Sequence, residues 1–128
     1  MARYKDMLSK VLIIDDDNRN IFALKAVLKA KGYTCISAIG GAEGIELLKQ
    51  DQEIAVVLMD MMMPGMDGYQ AIAEMSSIPE LQNIPVIAVT AQAMIGDRER
   101  CLKAGAAGYV SKPIDVDELT GLLKQYIF

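Results

Sequence analysis

VLIIDDDNRN (residues 11–20) sets four apolar residues directly against three acids. A run without polar interruption suits a strand covered on both faces, the condition of a strand in a parallel sheet flanked by helices. Three adjacent carboxylates at the end of such a strand repel one another, and each makes the next harder to ionise. A positively charged guest would relieve that repulsion.

The same pattern returns along the chain. Apolar runs at residues 11–14, 34–38, 56–59, 86–89 and 109–110 predict five strands, and helical periodicity predicts helices over 19–31, 42–50, 69–76, 97–104 and 116–126. In NIFALKAVLKAKG, Ile21, Leu24, Val27 and Leu28 share one helical face, the lysines take the other, and Gly32 follows as a stop. Strand and helix alternate five times, which predicts a doubly wound α/β sandwich with a parallel sheet. With 128 residues the chain suits one domain, placed at 9–128 after a short leader at 1–8. The last helix pattern runs almost to Phe128, which leaves no room for an output domain.

Composition narrows the chemistry. Lys and Arg number 13 against 17 Asp and Glu, a net charge of -4, the wrong sign for direct binding to nucleic acid or an anionic membrane. No signal peptide or membrane span is visible, so the expected location is cytoplasmic. Cys35 and Cys101 lack a metal-binding spacing and are expected to be buried reduced thiols. There is no histidine, which removes Ser-His-Asp and Cys-His mechanisms and most zinc sites.

In open parallel sheets, ligands bind beyond the carboxyl ends of the strands. There the sequence places Asp15, Asp16 and Asp17 after the first run, Asp60 after the third, Thr90 at the end of the fourth, and Lys112 and Pro113 after the fifth. Each has a plainer reading alone: a loop acid for Asp60, a solvated strand end for Thr90, a surface amine for Lys112. Asp17 or Asn18 can serve as a helix cap, but one helix needs one cap, and Asp15 and Asp16 are then left over. Converging carboxylates in a partly desolvated cleft need protons or cations, and Mg²⁺, which takes oxygen ligands, retained waters and a phosphate, fits best. The glycines form no GxGxxG or P-loop pattern. The methionines around Asp60 are mostly packing and loop filling.

Together LIIDDD, LMDMMMPGMDG, IPVIAVTAQA and AGAAGYVSKP, spread over essentially the whole chain, resemble the response-regulator receiver domain of two-component signalling. The resemblance implies a flavodoxin-like, five-stranded parallel sheet of order 2-1-3-4-5 with five helices. It implies that Asp60 is the phosphoryl acceptor, that Asp15, Asp16, Asp60 and the Met62 carbonyl hold Mg²⁺, and that Lys112 and the Ala91 N–H contact the phosphoryl group. Thr90 and Tyr109 become the switch pair, Pro113 follows a cis bond, and Met62 with Gln92 tunes the lifetime of the phosphorylated state. The implied partners are a histidine kinase or histidine phosphotransfer protein as donor, and a downstream protein at the face of the fourth helix, fifth strand and fifth helix. Catalysis would be confined to the domain's own phosphorylation and dephosphorylation. Two rivals fit less well: a haloacid-dehalogenase-type phosphatase needs a D-x-D-x-T/V pattern that DDDNRN does not supply, and a flavodoxin-like nucleotide binder would meet repulsion from an acidic first loop. A receiver-like module that only docks proteins is a further alternative, although all five key positions are present.

Overall fold

The apolar runs do become strands, buried throughout in the third and fourth and least in the second. The computed structural model describes residues 9–91 and 95–127. The strands are β1 (Lys10–Ile14), β2 (Thr34–Ala38), β3 (Ile54–Asp60), β4 (Val86–Thr90) and β5 (Gly108–Ser111). Alternating with them are helices α1 (Asn18–Ala30), α2 (Gly41–Gln50), α3 (Gly68–Ser77), α4 (Asp97–Ala104) and α5 (Val116–Leu123). All pairings are parallel, in the order β2-β1-β3-β4-β5. No helix among the described residues is long and apolar enough to cross a membrane.

Side chains alternate across each strand, and this sheet divides its core accordingly. Leu12, Ile14, Val57, Met59, Val86 and Ala88 lie on the face covered by α2, α3 and α4, through Ile45, Leu48, Ile72, Met75 and Cys101. Val11, Ile13, Val56, Leu58, Ile87 and Val89 lie on the opposite face, under Ile21 and Leu28 of α1 and Leu119 and Leu123 of α5. Every residue of β3 is buried, including the acid at its end.

Asp17 caps α1, its side chain accepting from the Arg19 N–H at 2.9 Å. Asp67 caps α3 in a reciprocal box with Gln70. The boundaries fall within one residue of those predicted except at the start of β3 and the end of the last helix. β3 begins at Ile54 and includes Asp60, which pairs with Val89 instead of following the strand. The last helix ends at Leu123, because Gln125 and Tyr126 donate three residues back, to Leu122 and Leu123, tightening the backbone out of α geometry. Cys101 is fully buried as expected, whereas Cys35 on the outermost strand is half-buried; both are free thiols.

Candidate functional site

The register of the sheet dictates which polar residues meet. Ile14 lies opposite Met59, so Asp15 and Asp60 are the next residues on neighbouring strands, at the point where the winding direction reverses. Thr90 lies opposite Ser111, and the Lys112 N–H donates to the Thr90 carbonyl at 2.8 Å. Lys112 is joined to Pro113 by a cis peptide bond.

One carboxylate oxygen from each of Asp15, Asp16 and Asp60 lies within 4.8 Å of the others. Asp15 and Asp60 are only 6% and 5% exposed, while Asp16 is open to solvent. The Lys112 ammonium stands 3.6 Å from Asp15 Oδ2 and 4.0 Å from Asp60 Oδ2. Backbone amides take the other oxygens: the Asp17 N–H donates to Asp15 Oδ1 at 2.9 Å, and the Met62 N–H to Asp60 Oδ1 at 3.0 Å. Burial pushes the Asp60 carboxyl up to about 6; the Met62 N–H and Lys112 pull it down, and Asp15 and Asp16 push it up again. Three hard oxygen donors around a short gap, with one ammonium against three carboxylates, suit a small divalent cation.

The loop after Asp60 is held close to the site. Gly65 has φ 76°, in the left-handed region that favours glycine. A Cβ on Gly68 would meet the Met61 side chain and lie 2.7 Å from Met61 Cα, so the start of α3 approaches the acceptor loop backbone directly. Met61 and Met63 are buried, whereas Met62 is exposed.

Thr90 is buried at the end of β4, and Ala91 follows in an exposed bend. Tyr109 lies on the same face of the sheet as Thr90, two pairs earlier in the register. Its hydroxyl donates to Asp97 Oδ2 at 2.9 Å, and burial together with that carboxylate pushes its phenol up to about 12. Asp97, the first residue of α4, is itself buried. The sequence reading passed over it, because a polar helix start looks solvent-exposed until β5 is laid beside it. Gln92 lies outside the described residues.

With this geometry in place, the likeness to known proteins is direct. The profile of the response regulator receiver domain matches residues 11–124. The chain belongs to this family. As a receiver domain it is 35% identical to the polar-differentiation response regulator DivK of Brucella ovis over 121 residues, covering 94% of this chain and 98% of that protein. The receiver domain of the sensor histidine kinase PA1611 from Pseudomonas aeruginosa superimposes with a TM-score of 0.82 at 32% identity, over 92% of this chain and 96% of that one. That structure is described as having a magnesium ion coordinated in its active-site cleft. The chemotaxis protein CheY4 of Vibrio cholerae, 22% identical, shares the fold with a TM-score of 0.84, over 94% of this chain and 99% of that one.

Proposed function

We propose that this receiver domain is a phosphorylation-activated switch that takes a phosphoryl group from a phosphohistidine onto Asp60 and changes its partner-binding face in response. The observation that carries the reading is the Asp60 carboxylate itself: buried, flanked by two further acids, anchored through one oxygen by the Met62 N–H and facing an ammonium with the other. A fixed oxygen in a site of balanced charge is what in-line phosphoryl transfer asks of a protein, since positioning and neutralisation do most of the work.

Asp60 Oδ2 attacks phosphorus; the O–P bond forms as the N–P bond to the donor imidazole breaks, and the imidazole leaves with the electron pair. Lys112 supplies positive charge beside the transferring oxygens, and the Thr90 hydroxyl and Ala91 N–H supply hydrogen-bond donors. Asp15, Asp16, Asp60 and the Met62 carbonyl would hold Mg²⁺, the kind of ion reported in the PA1611 receiver. When bound, Mg²⁺ neutralises charge on the phosphoryl oxygens. Phe22, Ile39 and Met62 are exposed on the segments that leave β1, β2 and β3, and they offer a histidine kinase or phosphotransfer protein apolar surface around the carboxylates. The output passes to a downstream protein at the face of α4, β5 and α5.

Incubation with acetyl phosphate and Mg²⁺ should add one phosphoryl group, read by intact-mass spectrometry, and chelator should stop it. Asp60→Asn should remain unlabelled. Stoichiometric labelling of that variant would overturn the assignment.

A further inference from the structure

Behind the carboxylates, on the α1 and α5 side, the two covering helices do not close fully on each other. A cavity of about 330 Å³ opens between α1 and the turn from β5 into α5. Its floor is Ile13, Leu58 and Val89, and α1 lines one wall with Ala23, Leu24 and Val27. Ile114 and Val116 form the wall opposite. The volume is near the lower end of small-molecule sites. Water gains little along such walls, because the polar groups are gathered at one end. There Asp15 and Asp60 stand against Lys112, two negative charges to one positive, and Asp16 adds to the excess.

We propose that this cavity is a binding site for a small amphiphilic cation, with an aromatic or branched alkyl body between Leu24 and Val27 on one side and Ile114 and Val116 on the other, and a protonated amine directed to Asp15 and Asp60. A carboxylate-bearing ligand of the same shape meets the wrong charge, and a neutral one leaves the acids uncompensated. The amine and a divalent metal draw on the same carboxylates, so each opposes the other. Occupancy would therefore hold the domain in its unphosphorylated state. The site itself does not depend on the phospho-acceptor reading, since binding is measured on the unphosphorylated chain.

The test titrates the ¹⁵N-labelled protein with 4-phenylbutylamine and, separately, 4-phenylbutanoate. The amine should shift the amides of Ala23, Val27, Leu58, Val89 and Val116, the acid should bind at least about tenfold more weakly, and Mg²⁺ should displace the amine. Ala23→Phe and Val116→Phe fill the cavity from opposite walls without touching the acids. Each should weaken the amine about tenfold or more and still accept one phosphoryl group at Asp60. Equal binding of amine and acid, parental affinity in both filled variants, or shifts confined to Asp15, Asp16 and Asp60 would each overturn the proposal. Amine binding as described in a protein that never becomes phosphorylated would uphold the cavity and remove the proposed function instead.

Discussion

At the scale of single residues, Asp60 sets the pH behaviour. Its carboxyl titrates near 3.8 in an unfolded chain and is pushed up to about 6 in the fold, chiefly by burial. Between those pH values the folded chain keeps a proton that the unfolded chain has released, so stability falls as pH rises through this window. The loss by pH 7 is on the order of 3 kcal/mol. In chelator, Asp60→Asn should therefore melt several degrees above the parent at pH 7.5, with the advantage gone by pH 4. A variant that melted no higher at pH 7.5 would show that ionising Asp60 costs the fold nothing. Met62 poses a kinetic question at the same edge. It is 52% exposed and offers water only a weak thioether acceptor, so it orients poorly any water approaching an acyl phosphate. Self-dephosphorylation should be slow, and Met62→Asn should shorten the half-life several-fold; decay at the parental rate, followed by mass spectrometry, would exclude Met62 as the limiting group.

At the scale of elements, the decisive contact is the approach of α3 to the loop that leaves β3. Gly68 opens the helix, and a methyl group there would press on Met61 Cα, a backbone atom with no rotamer to retreat to. Gly68→Ala should cost about 1–3 kcal/mol and lower the urea midpoint without changing the denaturant slope. An unchanged midpoint would mean that the acceptor loop yields easily. The central strands were legible in the sequence because VLII and VVLM carry no polar residue, their order came only with the resemblance to the receiver family, and the convergence of Asp15, Asp16 and Asp60 followed from their places at strand ends. The ends of elements were less legible. Ile54 joins β3 by pairing with Lys10 of β1, with Ala55 left at an irregularity in the register, which local composition beside the Asp51–Glu53 turn does not announce. Tyr126 and Ile127 keep a helical apolar rhythm and pack on the core although the backbone has already left the α form. The Asp97 partner of Tyr109 was hidden for a related reason: only the packing of β5 beside α4 makes that acid a buried one.

Across the whole molecule, the alternation of the sheet divides the work between its two faces. Asp15, Asp60 and Lys112 continue the alternation of Ile13, Leu58 and Val110, whose side chains point toward α1 and α5, while Tyr109 points toward α4 and carries its hydroxyl to Asp97 at the first turn of that helix. The Lys112 N–H bonded to the Thr90 carbonyl links the two sides through the backbone. On the proposed function, a phosphoryl group that recruits Thr90 and Lys112 would act on β4 and on β5, which carries Tyr109 and through it reaches α4. Such a signal is a population shift, its size limited by the difference in bonding between two arrangements of β4, β5 and α4. Beryllofluoride, which mimics the acyl phosphate, should therefore move amide resonances from the acidic edge through Tyr109 and along Asp97 to Leu123. Tyr109→Phe removes the tether to Asp97 and leaves the carboxylates untouched. It should accept the phosphoryl group at a rate within about twofold of the parent, while the amide shifts in α4 change in size by more than that. If the α4 shifts of the variant matched those of the parent, or if the parent showed none beyond the acidic edge, the route through Tyr109 would be excluded, and coupling to α4 would have to run through the β4–α4 connection alone.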